Sequence, residues 1–314
     1  MDSSLPTPKV MFLMGATATG KTDLAIEISQ RFAVEIISVD SALIYRGMDI
    51  GTAKPDSATL ALARHHLIDI IDPAAQYSAW DFVQQSQQLV AEIAARGNIP
   101  LLVGGSMMYF HAFERGLNSL PMADEAVRDR LDAQAREIGW EAMHRRLVEI
   151  DANSAMRIKP ADSQRIQRAL EVFELTGKPL SVLQEDETAG YQGEIVKLVL
   201  AANDRARLHQ RIETRFMIML ENGFIEEVEG LKQRGDLNLS LPSMRCVGYR
   251  QLWKYLDGEF SRQQMIEKGV IATRQLAKRQ LTWLRKQLRA QSYDCLNYRK
   301  DDIFGLVDAS FTER

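Results

Sequence analysis

The chain has 314 residues, 46% of them hydrophobic and 26% charged, an ordinary soluble composition that is long enough for about two domains and needs no covalent staples. Its formal net charge of −3, taken whole, speaks against a nucleic-acid partner. Cys246 and Cys295 are too few for a disulfide framework or a Cys-based zinc site, no apolar run reaches the ~18 residues of a membrane span, and Met1 to Lys9 has no signal-peptide pattern, so a cytoplasmic protein is expected.

The apolar run Val10 to Met14 leads into Gly15-Ala16-Thr17-Ala18-Thr19-Gly20-Lys21-Thr22, after which Leu24, Ile28 and Phe32 recur every four residues: strand, glycine loop, helix. A second strand, Glu35 to Val39, ends on Asp40. A helix from about Ser78 to Arg96 opens with the capping-box spacing Ser78/Asp81 and closes at Gly97, and a third strand, Ile99 to Val103, ends on Gly104-Gly105. Strands alternating with helices at this spacing predict a parallel α/β sheet with helices on both faces, and the glycine loop Gly15 to Thr22 between its first strand and helix makes the expected fold P-loop NTPase-like. From Met122 to Glu187 there is no convincing strand and there are several helical stretches, including Ala123 to Ile138 and Asp162 to Thr176. The expected organisation is therefore a core of residues 1–121 and 191–314 interrupted by an all-helical insertion, 122–190. Ile195 to Ala201 returns the chain to the sheet, and Leu208, Ile212, Phe216 and Leu220 mark a helix ending near Asn222-Gly223. The rest reads as mostly helical, with a weakly ordered tail after about Lys300.

Gly15 to Thr22 fits the P-loop pattern in full and in the required strand-to-helix context. Its backbone N–H groups and the helix N-terminus suit a diphosphate or longer anion, Lys21 adds a point charge, and the Thr22 hydroxyl is a candidate ligand for Mg²⁺. A P-loop kinase usually also has a strand ending in a magnesium-binding Asp, but here the third strand ends in Gly-Gly-Ser106. Asp40 lies on the same carboxyl edge of the sheet and is a candidate base beside the phosphate site, though a turn residue or N-cap is the plain alternative. Arg207, Arg211 and Arg215 fall on one side of the helix over 204–221.

Charge is unevenly placed. Residues 1–200 carry 19 Lys/Arg and 27 Asp/Glu, whereas residues 201–300 carry 19 and 11. Arg245 to Arg289 holds 11 basic and 3 acidic residues interleaved with Tyr249, Trp253, Tyr255 and Trp283. On one helix, Arg274, Lys278, Arg285 and Arg289 would share a face, and a basic stripe beside aromatics suits phosphates and unstacked bases. A solvated charged face is the competing reading.

Together, several segments resemble one family, the tRNA dimethylallyltransferases or isopentenyltransferases, of the bacterial type without a zinc finger. They are Gly15 to Thr22, Ser38 to Tyr45 with Met48 to Pro55, Asp72-Pro73 followed by Tyr77 to Phe82, Pro100 to Gly105, Asp162 to Arg168, Arg245 to Arg250, and Thr273 to Arg285. Ala16 stands where bacterial members usually have Pro, and Ser106 where they usually have Thr. The resemblance implies transfer of a dimethylallyl group from dimethylallyl diphosphate to N6 of the adenosine 3′ of the anticodon, adenosine-37. It implies Asp40 as base, Lys21 and Arg215 stabilising the diphosphate, Ser106 orienting N6 or the diphosphate, and Mg²⁺ on the leaving group. It implies an anticodon stem-loop held by Asp40, Ser41, Ala42, Leu43 and Ser106, by Arg128, Gln164, Arg165, Ile166, Gln167 and Arg168 in the insertion, by Arg245, Cys246, Val247, Gly248, Tyr249 and Arg250, and by Arg274, Lys278, Arg279 and Arg285. A monomer without membrane attachment is expected. The rivals are a P-loop small-molecule kinase, which would consume ATP, and an RNA-binding module with an inert P-loop.

Overall fold

The computed structural model describes residues 7–118, 120–185, 189–287 and 289–311, which form two compact units. The first unit comprises the described residues through Phe113 and those from Gln192 onward; the second is Glu114–Tyr191.

The first unit is built on six strands: β1 (Val10–Gly15), β2 (Val34–Val39), β3 (His65–His66), β4 (Ile99–Gly104), β5 (Ile195–Ala201) and β6 (Gln291–Asp294). They form one sheet in the order β3-β2-β4-β1-β5-β6, and every pairing is parallel. All six residues of β1 and all six of β2 are buried, so both faces are covered; β1 accordingly reads as a continuous apolar run, whereas β2 buries Glu35 and Ser38 among its apolar residues. The helices of this unit are α1 (Lys21–Arg31), α2 (Ser57–Leu62), α3 (Ala79–Ala95) and α4 (Met107–Arg115) before the second unit, whose helices are α5 (Glu125–Ile138), α6 (Trp140–Ile150), α7 (Ala152–Arg157), α8 (Ser163–Thr176) and α9 (Leu180–Leu183). After it come α10 (Arg205–Glu221), α11 (Phe224–Gln233), α12 (Tyr249–Leu256), α13 (Arg262–Leu284) and α14 (Lys300–Phe311). The Ser78/Asp81 capping box opens α3 as its spacing predicts.

Met11, Leu13, Leu198 and Leu200 of the sheet pack with Leu24 and Ile28 of α1, Leu208 and Ile212 of α10, and Ala277 of α13. A second core gathers Ile44 and Met48 with Phe216, Phe224, Val228, Tyr249, Leu252 and Met265. The second unit has its own core, centred on Leu131, Met143, Leu147, Ile166 and Leu170.

Three elements depart from the sequence reading. The stretch after Lys300 is a helix, not a weak tail: Ile303 and Val307, four apart, are buried in the sheet core, and Lys300 pairs with Glu27 of α1 at 2.8 Å. Strands β3 and β6 have no counterpart in the sequence reading. His-His and Gln-Ser-Tyr-Asp lack an apolar run because both strands lie at sheet edges, where one neighbour and little burial suffice.

Candidate active site

The carboxyl edge of the sheet carries a cleft of about 1350 Å³. Its floor begins where β1 delivers Gly15 into the loop. A Cβ at Gly15 would lie 2.7 Å from Thr19 Oγ1 and 3.0 Å from the Leu200 carbonyl, so only glycine fits. The Ala16 carbonyl accepts from the Thr19 hydroxyl at 2.8 Å and from the Lys21 ammonium at 2.7 Å, drawing the loop into a closed turn. Gly15, Ala16 and Thr19 thus form the underside of the loop, while Thr17, Ala18, Gly20, Lys21 and Thr22 line the cleft. Gly20, with φ of 86°, is the N-cap of α1, a left-handed position that suits glycine.

Asp40 and Ser106 meet because β2 and β4 run in register to Val39 and Gly104. A Cβ at Gly104 would fall 2.0 Å from the Val39 carbonyl, so this close approach of two strand ends requires glycine. The Ser106 N–H donates to the Val39 carbonyl at 3.1 Å, and the Ser41 N–H donates to Ser106 Oγ at 3.0 Å. Asp40 Oδ1 accepts from the Ala42 N–H at 2.8 Å, so the carboxylate is both a turn residue and a member of the cleft.

Charge ties three residues together. Burial raises the Asp40 carboxyl above its ordinary range, opposed by the N–H groups of Ala42 and Leu43 and by the positive charges of Lys21 and Arg215. An aspartate in water titrates near ~3.9, and here loss of solvent outweighs the cationic neighbours that would hold it lower. Burial likewise lowers Lys21 to about 8, with Asp40 opposing the shift and Arg215 adding to it. Helix α10 brings Arg211 and Arg215 into the cleft, whereas Arg207 is exposed and outside it.

Two residues with structural roles at the cleft escape sequence reasoning. Gln280 of α13 accepts from the Thr17 N–H through Oε1 at 2.9 Å and donates through Nε2 to the Gly105 carbonyl, also at 2.9 Å. Glu227 of α11 accepts from the N–H groups of Asp49, Ile50 and Gly51 at 2.9, 2.6 and 3.1 Å, and from the Tyr249 hydroxyl. Glu227 has no local pattern to mark it, and the Thr273 to Arg285 stretch does not single out Gln280 within it, since each acts on backbone far away in sequence.

The expected RNA contacts divide. Ser41, Ala42 and Leu43 line the cleft, as do Arg245, Cys246, Val247 and Gly248. Tyr249 also borders it but is 0% exposed, with its ring in the second core and its hydroxyl on Glu227; it shapes the wall rather than offering a surface. Arg250 is exposed outside the cleft. On α13, Arg279 reaches the cleft and Lys278 is exposed, but Arg274 bonds Glu213 at 2.7 Å. The helix stops at Leu284, so Arg285 is its C-cap and Arg289 lies beyond it; the stripe of four expected on one helix is broken.

In the second unit, Arg128 and Arg168 grip the fully buried Glu171 at 2.9 and 2.7 Å, and Gln167 donates to Asp132 at 2.7 Å. Ile166 is 0% exposed and belongs to that unit's core. The basic patch expected there is thus largely an internal network that neutralises a buried carboxylate. Gln164 and Arg165 are its exposed members, with Arg165 bonded to Asp162 at 3.1 Å. Among the described residues, no group of three or more His, Cys, Asp or Glu is placed to hold a metal, and no helix is long and apolar enough to cross a membrane.

The family model described as IPP transferase matches residues 43–287. The chain is similar to the tRNA isopentenylpyrophosphate transferase of Bacillus halodurans, at 34% identity over 97% of both chains with a TM-score of 0.71. It is similar to the tRNA delta(2)-isopentenylpyrophosphate transferase of Staphylococcus epidermidis, at 30% identity over 98% of this chain and 99% of that one, with a TM-score of 0.69. A eukaryotic dimethylallyltransferase acting on tRNA shares the fold, with a TM-score of 0.81 at 24% identity over 98% of this chain and 80% of that one.

Proposed function

The chain belongs to the IPP transferase family, and from that premise we propose how its cleft performs the transfer. It is a prenyltransferase acting on tRNA, which sets aside the kinase reading. The donor is dimethylallyl diphosphate and the acceptor N6 of the adenosine 3′ of the anticodon. The observation that carries this assignment of roles is the convergence of Lys21, Asp40, Ser106 and Arg215 on one cleft at the carboxyl edge of the sheet.

The reaction breaks the bond between the allylic carbon and the diphosphate oxygen and forms one from that carbon to N6; the electron pair leaves with the diphosphate. The loop Gly15 to Thr22 receives the diphosphate, and Lys21 and Arg215 stabilise the charge that grows on it, which is where preorganised cations lower the barrier. The N6 lone pair is delocalised into the purine, so the amine needs to lose a proton as it attacks. Asp40 takes it, and burial makes this carboxylate a stronger base than one in water. Ser106, already bonded to the Ser41 N–H, holds N6 against Asp40. The target base leaves its stack to enter the cleft. Arg245 and Arg279 at the rim, with exposed Lys278, hold the RNA that surrounds it.

A magnesium ion fits this donor set. Thr22 offers a hydroxyl at the cleft, and magnesium keeps several waters and binds chiefly through phosphate oxygens, so it needs no carboxylate cluster. When bound, it neutralises charge on the leaving diphosphate. We read the enzyme as a monomer that works in the cytoplasm, where its tRNA substrate resides. The test is incubation of the protein with unmodified tRNA, dimethylallyl diphosphate and magnesium, followed by nucleoside mass analysis. The expected product is N6-dimethylallyladenosine beside the anticodon; prenyl transfer to another nucleoside would overturn the acceptor assignment.

A further inference from the structure

We propose that Gln280 is the positioning residue that holds the donor cradle and the acceptor loop at one fixed separation. The inference rests on reading Gly15 to Thr22 as the diphosphate cradle and Asp40 with Ser106 as the acceptor side.

The Gln280 amide spans two segments that come from different strand ends. Its Oε1 accepts from the N–H of Thr17, on the loop after β1, and its Nε2 donates to the carbonyl of Gly105, on the loop after β4. Gly105 directly precedes Ser106, whose Oγ accepts from the N–H of Ser41, the neighbour of Asp40. One side chain therefore begins a continuous chain of bonds: Thr17, Gln280, Gly105, Ser106, Ser41. The carboxamide of Gln presents a donor and an acceptor on one rigid plane and stays neutral at every pH, whereas ionised Glu would only accept and Lys or Arg would only donate. Neutrality suits the position, because a carboxylate there would repel the diphosphate. Gly105 fits the same purpose. A Cβ on it would stand 2.5 Å from Gln280 Nε2, with the next nearest atoms, Gln280 Cδ and the Gly15 carbonyl oxygen, at 3.4 Å. Glycine at 105 admits this amide and is not required by its φ, which lies outside the left-handed region.

Displacement of the allylic carbon by N6 requires nucleophile, carbon and leaving oxygen in line, and a misplacement of about 1 Å can cost about 100-fold in rate. Gln280 borders the cleft and its amide is taken up by Thr17 and Gly105, so its loss is expected to act on the chemical step and to leave RNA binding alone. The test is a double-mutant cycle with Gln280→Met, which keeps length and removes both bonds, and Gly105→Ala, which drives the amide off the Gly105 carbonyl. Single-turnover rate, dissociation constant for tRNA, melting temperature and Asp40→Asn as an inactive control are measured together. Each single variant is expected to slow the single-turnover rate by about 10- to 100-fold, with tRNA affinity within a few-fold of wild type and the melting temperature nearly unchanged. The double variant is expected to be no slower than the slower single one, because the methyl at 105 disturbs only a bond that Gln280→Met has already removed. Multiplicative losses in the double variant, or a Gln280→Met enzyme as fast as wild type while Asp40→Asn is dead, overturn the inference and leave the site assignment standing. An active Asp40→Asn enzyme overturns the site assignment on which it rests. A parallel fall in rate, tRNA affinity and melting temperature reduces Gln280 to a structural residue.

Discussion

Asp40 is pushed up by burial and pulled down by Lys21 and Arg215, and the pH dependence of transfer should follow that contest. A general base works when ionised, so kcat/KM is expected to fall as pH drops through a pKa above the ordinary aspartate range. Lys21, lowered to about 8, works when charged, so kcat/KM for the diphosphate donor should fall again as pH rises past that value. The predicted profile is a bell. Asp40→Asn should abolish transfer by at least about 100-fold while keeping tRNA affinity within a few-fold, checked by single-turnover assays beside filter binding; an active variant would remove Asp40 from its role. At this scale, the sequence disclosed the residues that act through a pattern or a strand end. Lys21 and Thr22 stand in a fixed spacing, and Asp40 and Ser106 each follow a legible strand. Gln280 and Glu227 were hidden because their partners are backbone groups brought near only by the finished fold.

Among the elements, β2 carries a buried charge that its neighbours must satisfy. Glu35, 3% exposed, accepts from Arg96 at the C-cap of α3, from Asn98, and lies 2.7 Å from His66 of β3. The Arg96 hydrogen bonds are the chief cause that holds its carboxyl down to about 2, against the cost of burial. Because the folded pKa is depressed, this stability is complete above the unfolded glutamate value and is lost as pH falls from there toward 2. Such a shift corresponds to about 3 kcal/mol. Glu35→Gln should therefore lower stability at neutral pH by up to about that amount, and denaturant melts of variant and parent should converge as pH approaches 2. A constant gap across pH would show that the ionised cluster contributes nothing. The strands β1, β2, β4 and β5 were legible because their buried positions write short apolar stretches, unbroken in β1 and interrupted by Glu35 and Ser38 in β2 and by Lys197 in β5. Edge strands β3 and β6 write none, and α14 discloses itself only through Ile303 and Val307, too short a period to separate from a tail.

For the molecule as a whole, net charge concealed its distribution, and the basic region after residue 201 pointed to RNA. The finished fold refines which charges are free: Arg274 is bonded to Glu213, and Arg128 and Arg168 serve Glu171. Lys278→Ala with Arg279→Ala is expected to reduce the slope of log K against log salt for tRNA by about 0.7 to 0.9 for each phosphate left without its cation, while Arg128→Ala should act first on the melting temperature. An unchanged slope in the double variant would turn α13 away from the RNA. The sheet order carries a consequence for biosynthesis. Strand β1 pairs on one side with β4 and on the other with β5, whose Ile195 to Leu200 emerge from the ribosome only after the whole second unit. That unit is one contiguous stretch and can condense as soon as it is made, but β1 waits with apolar side chains and one edge of unpaired N–H and C=O groups until the chain passes Ala201. Assembly of the catalytic unit is therefore non-local and slow, and translation that stalls inside the insertion leaves a nascent chain primed for aggregation or chaperone capture.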